Sequence, residues 1–172
     1  MSQKREFLYA SQAAASFRSW LQDEGLRSTG RSGRSASPED QFDRLVVNAG
    51  LRAATEKLYK DGHHALAVAE AFKYINNRVK EKSGLTKDGA SLMTEAFRVE
   101  SPVLRLSSMR SQSDKDEQIG YMMIFAGCMT GIRNPRAHEH QYTDDPSVAL
   151  EMLVMANHLA DKLEKTRRSR KR

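Results

Sequence analysis

Between Gln3 and Asp23 the apolar residues Phe7, Ala10, Ala14, Phe17 and Leu21 recur at helical spacing, with Leu8 and Trp20 beside them, and predict an amphipathic helix. Residues 25–37 are rich in Gly, Ser and Arg. They are too poor in apolar side chains to offset the entropy of ordering, so they predict a flexible linker. Periodicity resumes at Ser37, Pro38, Glu39 and Asp40, which supply a hydroxyl cap, a proline at a helix start and acids facing the helix dipole. Phe42, Leu45, Val46 and Ala49 give the stripe of a helix that ends near Tyr59, before Asp61 and Gly62. A second helix runs from about His63 to Lys82. Its stripe is Val68, Phe72, Ile75 and Val79, while Ala65, Ala67, Ala69 and Ala71 permit close approach of neighbours, and Gly84 stops it.

A short helix from Asp88 or Gly89 to about Arg98 places Leu92, Met93, Ala96 and Phe97 on one side, and Pro102 then breaks the chain. Ser113 to Asp116 reads as the cap of a helix carrying Ile119, Met122, Met123, Ala126 and Met129. Gly120, Gly127 and Gly131 weaken that helix and imply a close neighbour. The last helix opens at Asp145 and Pro146 and buries Val148, Met152, Leu153, Ala156, Leu159 and Leu163. No stretch alternates convincingly with period two, so the expected class is all-α, a bundle of about four to five helices. The expected organisation is an N-terminal helix over 1–24, a basic linker over 25–37, a helical domain over 38–164 and a basic disordered tail over 165–172.

A length of 172 residues suits one domain with a real core and not two large ones. No apolar run approaches the roughly 20 residues of a membrane helix, and the first residues lack the layout of a signal peptide, so a cytoplasmic protein is expected. Cys128 is the sole cysteine, which excludes an intrachain disulfide. The formal charge of +6 is unevenly placed. The tail alone holds six basic residues and no acid, and Arg27, Arg31 and Arg34 add to it, so the remaining body is slightly acidic. Salt-sensitive attraction to nucleic acid is therefore expected to reside in the extensions.

The densest polar cluster lies between the last two helices, where Gly131 to His140 reads Gly-Ile-Arg-Asn-Pro-Arg-Ala-His-Glu-His. Pro135 disfavours a helical conformation at Asn134, so the helix is expected to end or kink there and expose the side chains beyond it. On a straight helix Arg133 and His138 point well apart; a kink could bring them to one pocket. An imidazole can move a proton at neutral pH, and a guanidinium can hold a phosphate and stabilise charge building on its oxygens. RNA carries its own nucleophile, the ribose 2′-OH. A protein that cleaves it without metal needs only a proton-transfer group and a cation.

The arginine, the polar Asn134 after it and His138 five positions on form a pattern that resembles the ribonuclease signature of the HEPN superfamily. The chain is more closely similar to the phage- and prophage-associated Ymh-like branch. The likeness is carried by Asp61, Gly62 and His63, the Ala-rich stretch from Ala65 to Lys73, Asp88 and Gly89 with Leu92 and Met93, and Gly131 to Glu139. It spans roughly residues 55–160. The resemblance implies a helical domain that dimerises so that two motifs line one cleft. It further implies a metal-independent endoribonuclease used in phage defence or as a toxin, with RNA as substrate and room for an antitoxin or regulatory partner. It makes Arg133 and His138 the catalytic pair, with Asn134, Arg136, Glu139 and His140 as substrate-binding or auxiliary groups. Some HEPN proteins only bind nucleotides or partners, so a non-catalytic RNA- or nucleotide-binding module stands as the alternative.

Other side chains invite competing readings. Arg133 and His138 could merely complement a helix C-terminus. His140 beside His138 hints at zinc, but no carboxylate or thiolate set of suitable spacing accompanies the pair, and no metal or other cofactor is expected. Cys128 sits in an apolar run and reads as a buried filler. His63 and His64 read as capping or packing residues at a helix start, and Glu70 as a solvated or salt-bridging acid rather than a cleft acid.

Overall fold

The computed structural model describes residues 37–139 and 142–169. The helix expected over 3–23, nearly all of the expected linker, His140 and residues 170–172 lie outside the described residues. The described chain is mostly helical: α1 (Pro38–Leu45), α2 (Ala49–Lys60), α3 (His64–Ser83), α4 (Gly89–Phe97), α5 (Gln112–Cys128), a π-helical turn (Met129–Arg133), α6 (Asn134–His138) and α7 (Pro146–Glu164). Two short strands, β1 (Leu104–Arg105) and β2 (Arg167–Arg168), pair antiparallel. The all-α class expected from periodicity is the class observed. Among the described residues no helix is long and apolar enough to cross a membrane.

The core is organised around α3. Ala67, Val68, Ala71, Phe72, Ile75 and Val79 are fully buried and span one face about 140° wide. Their neighbours are α2, α4, α6, α7 and the π turn. The small alanines on α3 let these elements approach closely, and Leu51, Leu92, Met93, Phe97, Phe125, Met129 and Leu153 fill the spaces between them. Gly84 ends α3 at φ +73°, in the left-handed region that favours glycine.

The single helix expected from Pro38 to about Tyr59 is two. After Leu45 the chain leaves the helix, and Val47 is 63% exposed while Val46 is fully buried. Asn48 caps α2 by accepting from the Leu51 amide at 3.1 Å. The amides of Val47 and Asn48 both donate to Asn157 Oδ1 on α7, at 2.9 and 2.8 Å, and Asn48 Nδ2 donates to Asp161 Oδ1 at 2.9 Å. Backbone groups freed by the break are thus satisfied from a helix more than a hundred residues away, which makes the break stable.

On α5 the cap lies two residues earlier than expected: Ser111 and Asp114 form the capping box. The buried face is also rotated. Gln118, Phe125 and Cys128 point inward, while Met123 is 62% exposed. A buried glutamine explains the rotation. Gln118 Nε2 donates to the carbonyls of Phe97 and Leu104 at 2.8 and 3.0 Å, and its Oε1 accepts from the Leu106 amide at 2.7 Å, so one side chain fixes the connection from α4 to α5. Gly120, Gly127 and Gly131 have no close neighbour among the described residues, contrary to expectation; an added Cβ at each would meet open space. Val148, expected in the core, is 41% exposed.

The chain expected to become disordered at Lys165 continues in place to Ser169. Lys82 Nζ donates to the last carbonyls of α7, Leu163 and Glu164, at 2.8 and 3.0 Å, and Arg78 forks onto the Glu164 carboxylate. The strand pairing then holds Arg167 opposite Arg105, and the Ser169 amide donates to Val103 O at 2.9 Å. Composition alone hid this because pairing uses backbone groups, which a basic sequence possesses like any other.

Replacing Asn157 by leucine keeps the volume but strands two amides. Asn157→Leu is expected to lower stability by about 2–3 kcal/mol in urea unfolding, against under about 1 kcal/mol for the exposed Met123→Ala.

Candidate functional site

The polar segment after α5 is continuous helix, not a break. Arg133 and Asn134 both have right-handed helical dihedrals, and the chain leaves the helix only at Glu139, at φ −97° and ψ 112°. Pro135 has no amide to donate and its ring would crowd the carbonyl four residues back. The π turn directly before it resolves the conflict: the Asn134 amide bonds Met129 O, five residues back, so the widened turn admits the proline without ending the helix. The expected kink at Asn134 is therefore a change of helical pitch.

This geometry sorts the segment's side chains. Arg136 is turned inward. Its Nε and Nη2 form a bidentate pair with Asp144, each at 2.6 Å, and Nη1 donates to Ile132 O at 2.9 Å. The side chains of Arg136 and Asp144 are 2% and 5% exposed, and the guanidinium lies 4.7 Å from the Tyr142 ring centroid. Expected as a substrate-binding or auxiliary group, Arg136 instead uses its donors to tie α6 to the loop leading into α7. No local pattern signals this, because the partner acid belongs to an irregular loop.

Arg133 closes the π turn and is half-buried, and His138 is the last residue of α6 and is exposed. Neither is engaged by a hydrogen bond or ion pair among the described residues. They stand at the two ends of α6, separated by roughly 7.5 Å of helix rise. Asn134 is half-buried beside Arg133, and Glu139 is exposed at the helix end, where its carbonyl accepts from the Tyr142 amide at 3.3 Å. Arg133 also acts on Asp88, the N-cap of α4. The Asp88 carboxyl is held below its ordinary range chiefly by the hydrogen bond from Lys80, then by the Gly89 amide and the positive charges of Lys80 and Arg133. Asp88 is legible in the sequence as a cap; its closeness to Arg133 is not.

The remaining candidates occupy structural positions. Glu70 pairs with Lys73 at 3.0 Å on the same helix. His63 is the N-cap of α3 without a side-chain capping bond, and the His64 ring meets Tyr59 edge-on at 5.1 Å. Burial pushes the Cys128 thiol up to about 11, and its Sγ lies 3.6 Å from Met155 Sδ, so it remains a thiol at neutral pH. No group of three or more His, Cys, Asp or Glu side chains that could hold a metal is present among the described residues.

A family model described as "Protein of unknown function (Hypoth_ymh)" matches residues 46–163. The chain belongs to the Hypoth_ymh family. No curated protein and no solved structure matches it. The Hypoth_ymh match begins at Val46, in the break before α2, and ends at Leu163, in the last turn of α7; it therefore takes in α3 and the whole polar segment.

Arg136→Ala would leave Asp144 buried without its cation. It is expected to destabilise the fold by about 3–5 kcal/mol, read as a fall in the urea midpoint.

Proposed function

We propose that this chain is a metal-independent endoribonuclease in which Arg133 holds the scissile phosphate and His138 transfers a proton. The observation that carries the reading is the division of labour within one segment. Arg136 is fixed internally and makes the helix rigid, while the arginine and histidine on either side of it keep their polar atoms available for a ligand. On one continuous helix the two side chains point well apart, so this rigid support would bring an arginine and a histidine to one phosphate together with the facing segment of a second copy. In the proposed reaction the ribose 2′-OH attacks the adjacent phosphorus and the bond to the 5′-oxygen breaks, leaving a 2′,3′-cyclic phosphate and a free 5′-hydroxyl. The imidazole takes up or supplies the proton that moves, and the guanidinium balances the charge that builds on the phosphoryl oxygens. The resemblance to HEPN proteins supports the same assignment and supplies the proposed setting of phage defence or toxin action.

The proposed active form is a homodimer, because one short segment offers too few groups to enclose a phosphate with its flanking nucleotides. Gly120, Ile124, Gly127 and Gly131 fall four, three and four residues apart on one face of the helix that leads into the motif. Ile124 is 45% exposed, and the three glycines face open space among the described residues, so a second copy could approach the backbone closely.

Purified protein incubated with RNA and a chelator should release products ending in a cyclic phosphate, and a deoxyribose at the cut site should block cleavage. Arg133→Ala should slow cutting about 10²- to 10³-fold and His138→Ala about 10²- to 10⁴-fold. Both variants should keep native stability to within about 1 kcal/mol. If the native protein cuts nothing, or if His138→Ala cuts as fast, a binding module without catalysis replaces this reading.

Light scattering should give twice the chain mass for the native protein and the single mass for Gly127→Glu, whose added Cβ meets no atom within 4 Å among the described residues of one copy. A native monomer that still cuts RNA would rule out the dimer.

A further inference from the structure

A second basic feature lies at the other end of α5. The loop from β1 to the α5 cap and the strand after α7 enclose a cavity of about 420 Å³ lined by Arg105, Leu106, Ser107, Ser108, Arg110, Lys165 and Arg167. Four of those seven residues are cations and none is an acid. The nearby carboxylate of Asp114 is occupied by hydrogen bonds from Ser108 Oγ and from the amides of Arg110 and Ser111 at 2.8 and 3.0 Å. It serves to shape the loop. None of the four cations forms an ion pair among the described residues, and Arg105 makes one neutral hydrogen bond, to Ser169 Oγ at 3.2 Å.

The cavity is built, not incidental. Gln118 holds the Leu106 amide from inside the core, the β1–β2 pairing sets Arg105 beside Arg167, and Lys82 and Arg78 anchor the end of α7 from which Lys165 and Arg167 project. Strand alternation sends the neighbouring Arg168 the other way, toward Gly84. Like charges gathered around one hollow repel one another, so this arrangement gains from a bound polyanion.

We propose that this cavity binds successive phosphates of an RNA backbone. Among the described residues no aromatic side chain lines it, so its described lining offers no platform for stacking bases and would read backbone charge without sequence preference. The sequence continues as Arg170, Lys171 and Arg172, extending positive charge along the chain as a linear polyanion requires. The choice of RNA over another polyanion rests on the ribonuclease reading; the anion site itself does not. Helix α5 and the π turn together set the cavity roughly 30 Å from Arg133. At roughly 3.4 Å per stacked nucleotide, a strand of about nine nucleotides could touch both.

The test is fluorescence anisotropy with a 2′-O-methyl oligouridine of about twelve nucleotides, which cannot be cut by 2′-OH attack. The native protein is compared with an Arg105→Ala/Arg110→Ala double variant whose thermal midpoint is checked. Losing two phosphate contacts should weaken binding at least about tenfold at low salt, and reduce the slope of log affinity against log salt by about 1.4. Unchanged affinity and slope would overturn the proposal. So would an acidic peptide of equal charge that displaces the RNA on equal terms, which would assign the cavity to a protein partner. Cavity-dependent binding by a native protein that cuts no RNA would sustain this inference while the ribonuclease reading failed.

Discussion

A helix packed against five other elements has few ways to be satisfied: its backbone bonds are internal, and a side chain facing a neighbour must be small, apolar or, like Asn76 with the Gly89 amide, hydrogen-bonded. Helix α3 meets that demand with fully buried Ala67, Val68, Ala71, Phe72, Ile75 and Val79. Burial of each large side chain contributes on the order of 1.5–3 kcal/mol, and none of it is available unless α2, α4, α6, α7 and the π turn all close around the helix. The same closure positions the polar segment. Arg133 and His138 are held where they are because the π turn and α6 are pressed against α3, and not because either side chain is bonded into the fold.

Packing of this kind fixes helices but leaves their connections with unpaired backbone groups. Four buried polar side chains deal with most of that burden. Asn157 takes up the amides of the α1–α2 break, Gln118 bridges the α4–α5 connection, and Arg136 with Asp144 secures the loop before α7. Each works in a low-dielectric setting where an unmet donor is costly. The surface network of Arg52 and Lys60 with Asp43 and Glu56 is more conspicuous but weaker, since water screens it.

The same pins distribute charge. Arg136 is neutralised within the fold, while cations with no ion pair among the described residues stand toward both ends of α5. At one end Arg133 and His138 flank α6; at the other, Arg105, Arg110, Lys165 and Arg167 surround a hollow whose described lining holds no acid and no histidine. The proposed chemistry site and the proposed holding site, set apart by one helix, would let a strand be gripped at a distance from where it is cut.

Apolar periodicity is enough to read the all-α class, the bounds of α3, α4 and α7 and the buried Phe72, Ile75, Leu92 and Leu153, because these depend on residues a few positions apart. The density of polar groups singles out the segment around Arg133 and His138. Neither signal reveals the break at Val46–Asn48, the rotation of α5 about Gln118, the inward turn of Arg136 or the pairing of Arg167 with Arg105. Each of those is decided by a partner distant in sequence or by a backbone group that composition does not reveal. Asn157, Asp144 and Val103 have no local pattern to mark them. Sequence by itself determined which segments are helical and where polar groups concentrate; tertiary structure decided which polar side chains are consumed in holding the fold and which remain to act, because that choice is made by whatever lies across the core.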